Sequence, residues 1–450
     1  MKDLLLQVAD RAGHYLEALE HRPVFPDAQA VARIDTLDQP LPNEGVSPEL
    51  VLKELEEVLS PATVACAGPR YFGFVTGGSL PSALAANWLA TAWDQNAFSR
   101  VSSPVGAGIE PIASRWTLDA LNLPSDAAVA FVTGATMANF TALAAARGAQ
   151  LAKLGWDVEA DGLMGAPKLD VVVGSEAHAV IYKALGFLGL GRANVRTVEV
   201  DEQGRIRPDA VGTLSEASVV CLQAGNVNSG AFDPMREICE RARQAGAWVH
   251  VDGAFGLWAR AAPTLAHLAD GAELAHSWAT DGHKWLNVPY DSGLAIVSDI
   301  QALRRAVAVT AAYLPDADSL QPLDVTPESS RRARGIDVWA ALRSLGREGL
   351  ANLIERNCRQ ARRFAEVLKR SGIDILNDVC LNQLVVYVGD SDRTAAMLRA
   401  IETDGTFWCG PTTWRGASAI RVSVSSWATT DDDIEVSAQT FTRLHANLPT

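Results

Sequence analysis

Residues 127–152 read AAVAFVTGATMANFTALAAARGAQLA, and this stretch decides the fold class. A wholly apolar run ends at Thr133, Gly134 makes a turn, and an alanine-rich helical stretch begins near Met137. An apolar run of this length without alternation is typical of a strand that is covered on both faces, as in a parallel sheet. The stretch therefore predicts a buried strand, a tight turn and a covering helix.

The same alternation of apolar runs and helical stretches continues to about residue 298. The further strand candidates are KLDVVVG (168–174), VRTVEV (195–200), ASVVCLQA (217–224), GAWVHVDGA (246–254), ELAHSWAT (273–280) and SGLAIVS (292–298). Buried strands separated by helices predict an α/β fold, with a mostly parallel sheet and helices on both of its faces.

The flanking regions predict additional parts, since 450 residues are many for one core. Residues 1–79 combine short helices with a proline-rich extended stretch, which predicts an arm that packs on the partner subunit. Residues 80–345 form the predicted large domain, in which the polar stretch 314–334 is expected to be a mobile loop. Residues 346–450 predict a small C-terminal α+β domain.

Composition excludes several classes of protein. The net charge of −14 argues against a nucleic-acid surface. The six cysteines form no C-x-x-C pair, so they indicate neither a zinc site nor a disulfide framework and fit a reducing compartment. The sequence has no apolar run long enough for a membrane span, and its N-terminus is typical of an amphipathic helix. We therefore expect a cytoplasmic enzyme without metal, nucleic-acid or membrane partners.

Four stretches place functional groups directly after predicted strands. In the first, Gly134, Ala135 and Thr136 would present backbone N–H groups and one hydroxyl at a helix N-terminus, which suits a phosphate. A plain strand–turn–helix with a threonine cap explains the same residues. The stretch lacks the G-K-[ST] of a Walker loop, and no G-x-G-x-x-G follows the first strand, which argues against a dinucleotide.

The second stretch ends at Asp252, at the predicted carboxyl edge of the sheet, where open α/β sheets bind ligands. A carboxylate at this place requires a partner, which is either a ligand or the N–H groups of the adjoining loop. A metal site shared with His250 is the weaker alternative, because the sequence offers no evident third ligand.

The third stretch carries Lys284 in SWATDGHKWLNV (277–288), and the fourth carries His178 in GSEAHAV (174–180). An apolar pocket disfavours the ammonium form of a lysine and leaves a nucleophilic amine. The alternative is a surface lysine whose stem lies along apolar groups. The histidine alone is more typical of a structural residue.

Taken together, the four stretches suit pyridoxal 5'-phosphate. Its phosphate suits the helix N-terminus, and its aldehyde forms a Schiff base with a lysine. A buried aspartate keeps its pyridine nitrogen protonated, and an imidazole offers a plane on which the ring can stack. The sequence therefore predicts Lys284, His178 and Asp252 as the catalytic residues.

The chain also resembles, nearly from end to end, the group II pyridoxal-phosphate decarboxylases, which include aromatic-L-amino-acid, histidine and glutamate decarboxylases. The motifs similar to the family's aspartate, lysine and stacking histidine are HVDGAFG (250–256), DGHKWL (281–286) and SEAHAV (175–180). The segments similar to its swapped arm, substrate segment and intersubunit segment are YLEALEHRPVFP (15–26), YFGFVTGGSLPSALA (71–85) and FSRVSSPVGAGIE (98–110).

This resemblance implies the aspartate-aminotransferase-like fold type I with a seven-stranded sheet, and a homodimer with shared active sites. It implies decarboxylation of an L-amino acid, with an aromatic or apolar side chain favoured, to an amine and CO2. The cofactor-binding residues that it implies are Gly134, Ala135, Thr136, His178, Asn226, Asp252, Ala254, His283 and Lys284. The substrate-binding residues that it implies are Phe74, Thr76 and Phe98.

The chain departs from the aromatic decarboxylases in the loop 314–334. Their loop carries a tyrosine that returns a proton after CO2 leaves, whereas this one has none and Tyr313 precedes it. The polar alternatives in the loop are Asp316, Asp318, Ser319 and Asp324. Family members without the tyrosine can divert the intermediate to oxygen, which gives an aldehyde instead of an amine. The proton donor therefore stays open.

An aldehyde synthase, an aldolase-type lyase and an aminotransferase are alternatives on the same scaffold. A binding module with a decayed site is a third hypothesis, against which the intact Asp252 and Lys284 argue. The C-terminal stretch FWCGPTTWRGASAIRVS (407–423) adds further candidates for the edge of the pocket, which are Trp408, Trp414 and Arg415.

Overall fold

The computed structural model describes residues 1–309 and 320–448. The α-helices of this part, α1–α13, span Lys2–Ala18, Ala28–Ala32, Pro48–Glu54, Pro81–Trp93, Pro104–Ala120, Ala135–Lys153, Val158–Asp161, Ala179–Phe187, Met235–Gln244, Ile300–Val307, Gly335–Arg370, Ser391–Asp404 and Asp431–Ala446. Its strands, β1–β11, span Ala128–Val132, Asp170–Gly174, Arg196–Val198, Ser218–Gln223, Trp248–Asp252, Ser277–Asp281, Gly293–Val297, Asp374–Ile375, Gln383–Tyr387, Gly410–Trp414 and Ala417–Ser423.

The first seven strands form one sheet in the order β1-β7-β6-β5-β4-β2-β3. Strands β6, β5, β4, β2 and β3 run parallel to one another. Strand β7 runs antiparallel between β1 and β6, because the connection from Asp281 to Gly293 is too short for a crossover helix. The predicted α/β fold with a mostly parallel, seven-stranded sheet is confirmed.

Both faces of this sheet are buried. Strands β1, β5, β6 and β7 are buried along their whole length, which explains why their sequences are apolar without alternation. On one face, the alanines of α6 pack with α8 and α10 against the strands. Small alanine side chains bring α6 close to the sheet, so its N-terminus lies beside the carboxyl end of β1.

The chain divides into two compact units. The first comprises Met1–Gly78, Gln360–Leu376 and Leu384–Thr450, and the second comprises Ser79–Arg359 and Asn377–Gln383. Strands β8–β11 form a second sheet in the order β10-β11-β9-β8. The three-part division at residues 79 and 345 stays a prediction.

The long helix α11 is kinked at Gly346, whose φ of 61° and ψ of −173° interrupt the helical conformation. Glycine suits this kink because the φ is strained for residues with a side chain. Across residues 1–309 and 320–448, the structure has no helix with both the length and the apolar character needed to cross a membrane.

Candidate active site

The carboxyl edge of the sheet brings the predicted catalytic residues together. Asp252 ends β5, and Lys284 lies three residues beyond the neighbouring strand β6. The carboxyl of Asp252 is buried and accepts the N–H of Ala254 at 3.3 Å. Burial raises the pKa of Asp252, whereas the positive charges of His178 and Lys284 oppose this rise. His178 and Lys284 therefore lie close enough to Asp252 for their charges to act on its carboxyl.

Lys284 is held by the buried residues that surround it. Its Nζ lies 3.0 Å from Oδ2 of Asp281, and 22% of its side chain is exposed. Trp285 and Leu286 are fully buried, and Trp285 Nε1 donates to Oδ1 of Asn357 at 3.0 Å. This anchoring of its neighbours fixes the direction of the lysine. Its amine forms an ion pair with the buried carboxylate of Asp281. This environment differs from that of a surface lysine, whose amine is solvated.

Asp281 is a site residue that the sequence analysis missed. Its side chain is only 2% exposed. Its Oδ1 accepts the N–H of Ala135 at 2.5 Å, so one carboxylate joins Lys284 to the N-terminus of α6. The signal was present in DGHKWL, because this aspartate ends a buried strand just as Asp252 does.

The N-terminus of α6 packs closely against the segments of His283 and Gly293. Gly134 occupies the N-cap position, so the cap is a glycine and not the threonine of the alternative interpretation. A Cβ on Gly293 would lie 2.4 Å from Cα of Gly134, and a Cβ on Gly134 would lie 3.1 Å from Cε1 of His283. Only glycines permit this packing, which brings Gly134, Ala135 and His283 together. Thr136 follows in the first turn and is half-buried.

His283 presents a neutral N–H group to the same place. Its Nδ1 accepts the N–H of Ser292 at 3.1 Å, which puts the ring proton on Nε2. Nε2 lies 3.5 Å from Oδ1 of Asp281. Burial lowers the pKa of His283 and so favours the neutral ring. The ring stacks on Tyr290 with 4.3 Å between centroids.

His178 and Asn226 belong to adjoining loops. His178 is the N-cap residue of α8, and its Nδ1 accepts the N–H of Val180 at 3.2 Å. The side chain of Asn226 accepts backbone N–H groups of its own loop and donates to the carbonyl oxygen of Glu176 at 3.3 Å. Since Glu176 lies two residues before His178, Asn226 fixes the loop that carries the histidine.

The predicted substrate residues lie in different units. Phe74 and Thr76 belong to the first unit, whereas Phe98 belongs to the second. Phe74 is 59% exposed and Thr76 is buried. The carbonyl oxygen of Phe98 accepts the N–H of the buried Leu323 at 2.9 Å, so this part of the predicted mobile loop 314–334 packs on the segment of Phe98.

Four of the loop candidates lie outside the described residues, namely Tyr313, Asp316, Asp318 and Ser319. Asp324 is described, and its Oδ2 accepts the N–H of Gln321 at 2.8 Å. Of the C-terminal candidates, Trp414 is buried in the second sheet against Val385 and Ala419, and Arg415 occupies the turn between β10 and β11 with a φ of 50°.

His250 supports the site from within β5. Its ring nitrogens lie 2.7 Å from Oδ1 of Asn139 and 2.9 Å from Oγ of Ser277. Both nitrogens are therefore engaged within the protein, which removes the basis for a metal site shared with Asp252. Burial lowers the pKa of His250 to about 3.

We expect His250 to make the folded state acid-sensitive. Because its pKa lies below the unfolded value near ~6.5, the unfolded state takes up a proton first as the pH falls. Between pH ~7.5 and ~5.5 this residue should lower the free energy of unfolding by about 1.4 kcal/mol. Denaturant unfolding at both pH values, with His250→Gln as the comparison, measures this contribution. An equal pH dependence in both proteins would contradict it.

Comparison with known proteins agrees with this geometry. The chain matches the family described as "Pyridoxal-dependent decarboxylase conserved domain" over residues 32–387. It is 26% identical to L-tyrosine/L-DOPA decarboxylase 2 of Lophophora williamsii over 81% of this chain and 73% of that one. It is 27% identical to 4-hydroxyphenylacetaldehyde synthase of Rhodiola rosea, over 80% and 76% of the two chains.

The fold is shared with solved structures. The structure of Oryza sativa TDC with PLP and tryptamine superimposes with a TM-score of 0.90 at 22% identity, covering 99% of this chain and 97% of that one. A glycine-capped helix N-terminus, an imidazole N–H, a half-buried amine and a buried carboxylate fit the phosphate, aldehyde and ring nitrogen of that cofactor. This chain therefore belongs to the pyridoxal-dependent decarboxylase family, as an enzyme of the carboxy-lyase class with pyridoxal phosphate as its cofactor.

Proposed function

We propose that this enzyme decarboxylates an L-amino acid with an aromatic or apolar side chain and releases the amine and CO2. The observation that carries the proposal is the meeting of Asp252, Lys284 and His178 at one edge of the sheet. The relatives named for tyrosine, DOPA and tryptophan favour an aromatic side chain. The exposed ring of Phe74 supplies a surface of matching chemistry.

Each residue has a role in this proposal. Bound pyridoxal phosphate supplies an aldehyde that condenses with amines and a ring that accepts electrons when a carboxylate departs as CO2. Lys284 would hold this aldehyde group through Nζ. Asp252 would keep a proton on the ring nitrogen, and His178 would offer its imidazole plane to the ring. The first turn of α6 and Nε2–H of His283 would bind the phosphate.

The proposal retains Phe74, Thr76 and Phe98 as substrate-binding residues. Asn226 and Ala254 contribute through their loops, since Asn226 holds the loop of His178 and the N–H of Ala254 donates to Asp252. The group that returns a proton to the substrate carbon stays unassigned.

A homodimer with shared active sites is part of the proposal. Helix α1 has no buried residue, and its Leu5 and Leu6 are more than half exposed. Helix α4 exposes Trp88, Leu89 and Trp93. Exposed apolar patches of this kind are typical of protein interfaces and support a partner subunit. The cytoplasmic location stays a prediction.

The second candidate is an aldehyde synthase on the same scaffold. It is favoured by the similarity to 4-hydroxyphenylacetaldehyde synthase and by the absence of tyrosine from residues 314–334. Both candidates release CO2. The decarboxylase gives an amine, whereas the aldehyde synthase also consumes O2 and gives an aldehyde and ammonia. An aldolase-type lyase or an aminotransferase would leave the carboxylate in place.

Release of labelled CO2 tests the proposal. Purified protein with pyridoxal phosphate is incubated with carboxyl-labelled L-amino acids, first as a mixture and then singly. We expect label release with aromatic substrates and an amine as the second product. Absence of release, from protein that shows the absorbance of the lysine-bound cofactor, would refute decarboxylation of these substrates.

Asp281 is expected to limit the affinity for the cofactor. Its carboxylate occupies the N-terminus of α6 beside Lys284, where it would repel the phosphate. The isosteric variant Asp281→Asn should therefore lower the dissociation constant for pyridoxal phosphate at least about tenfold, because two like charges ~4–10 Å apart repel by about 2–4 kcal/mol at an effective dielectric near ~20. Titration by absorbance measures this constant without turnover. A weaker affinity in the variant would instead show that the carboxylate maintains the geometry of the cradle.

A further inference from the structure

The predicted substrate segment YFGFVT (71–76) adopts a strained backbone. Phe74 and Val75 have φ angles of 52° and 60°, in the left-handed region that residues with side chains rarely adopt. Such conformations persist only where the surroundings enforce them, and they occur often at ligand sites. Phe74 is 59% exposed. Burial of its own side chain therefore does not compensate for the unfavourable backbone conformation.

Trp408 is the residue that holds this segment. Its ring stacks on Tyr71 with 5.1 Å between centroids and an angle of 7°, and lies 5.6 Å from the ring of Phe74. Its carbonyl oxygen accepts the N–H of Phe72 at 2.8 Å, and its own N–H donates to the carbonyl oxygen of Arg70 at 3.1 Å. Stacking and backbone hydrogen bonds together fix the indole against residues 70–74.

Gly73 shows how close this contact is. A Cβ at this position would lie 2.2 Å from Cζ3 of Trp408. The indole therefore covers the backbone between the rings of Tyr71 and Phe74. The carbonyl oxygen of Gly73 also accepts the N–H of Thr76 at 3.0 Å, so the same clamp sets the position of Thr76.

We propose that Trp408 is a specificity-determining positioning residue that keeps the ring of Phe74 exposed as a wall for an aromatic substrate side chain. The inference rests on the proposed function, in which Phe74 contacts the substrate. A flat ring gains most from such a wall, because stacking adds to the burial of apolar area. An aliphatic side chain depends less on the orientation of Phe74.

The test compares Trp408→Leu and Trp408→Phe with the wild-type enzyme. Trp408→Leu should raise KM for the aromatic substrate about tenfold, on the scale of one aromatic pair, with a smaller effect on kcat and on an aliphatic amino acid. Trp408→Phe should recover part of the loss, because a smaller ring still covers Gly73. The dissociation constant for pyridoxal phosphate should stay unchanged, because the cofactor residues belong to the second unit.

Trp414→Leu is the matched control, since Trp414 is buried in the second sheet against Val385 and Ala419. Equal changes of KM in Trp414→Leu and Trp408→Leu would indicate general destabilisation and overturn the inference, as would an unchanged preference between aromatic and aliphatic substrates. If Trp408→Leu does not fold, Trp408→Phe provides the test. The quantity compared is then the ratio of KM for the aromatic substrate to KM for the aliphatic one.

The failure of the proposed function is distinguishable. Amino acid binding is also followed through the cofactor absorbance, which requires no release of CO2. Weaker binding of aromatic amino acids to Trp408→Leu, without CO2 release from the wild-type enzyme, supports the positioning role and rejects decarboxylation. Unchanged binding rejects the positioning role.

Discussion

Replacement of Lys284 by alanine should reduce CO2 release by at least about 10⁴-fold, the scale on which loss of a covalent catalyst acts. The Lys284 amine is the nucleophile that would bond to the aldehyde carbon of the cofactor. The alanine variant has no such group, and a water molecule in its place does not form this bond. The variant should also lose the absorbance of the lysine-bound cofactor. Full activity in this variant would overturn the assignment.

Lys284→Arg separates the amine from its charge. Arginine keeps a cation beside Asp281, whose carboxylate would otherwise be buried without its ion-pair partner, but its guanidinium does not condense with an aldehyde. We expect a folded protein that is as inactive as Lys284→Ala. Lys183→Ala is the control, because Lys183 is exposed on α8 and lies over the ring of Phe187.

Asp252→Asn should lower kcat by about 10²–10⁴-fold, the range typical of a lost proton-holding group. The amide has the shape of the carboxylate but no negative charge, so it does not keep a proton on the ring nitrogen. Single-turnover measurement of CO2 release tests the chemical step directly, and the dissociation constant for pyridoxal phosphate shows whether binding survives.

Asp252→Glu provides the matching comparison. It keeps the charge but shifts it by one methylene in a buried position, so part of the rate should remain. If Asp252→Asn retained the wild-type rate, or if Asp252→Glu were the more damaged of the two, the carboxylate would have a structural role only.

Much of the fold was predictable because its signals are local. The run AVAFV at β1 and the run VVV in β2 are apolar without alternation, and the structure buries them on both faces. The antiparallel direction of β7 was not specified by its own apolar sequence. It follows from a short connection, and strand direction depends on how the chain between two strands can cross the sheet.

The candidate site was predictable in part for the same reason. Lys284, Asp252 and His178 each follow a buried strand, and the carboxyl ends of parallel strands share one edge. Asn226 shows the limit of this argument, because a loop position alone does not reveal which atoms its amide contacts. The structure directs the amide to Glu176 and the loop of His178.

The sequence by itself determined the strand and helix pattern, the family motifs and the residue types of the site. Only the tertiary structure decided that Asp281 joins Lys284 to Ala135, and that Trp408 clamps the segment of Phe74. Ala135 precedes Asp281 by 146 positions, and Phe74 precedes Trp408 by 334 positions. Neither contact has a local pattern, because each forms only when packing of the core brings remote segments to within the range of a hydrogen bond or a ring contact.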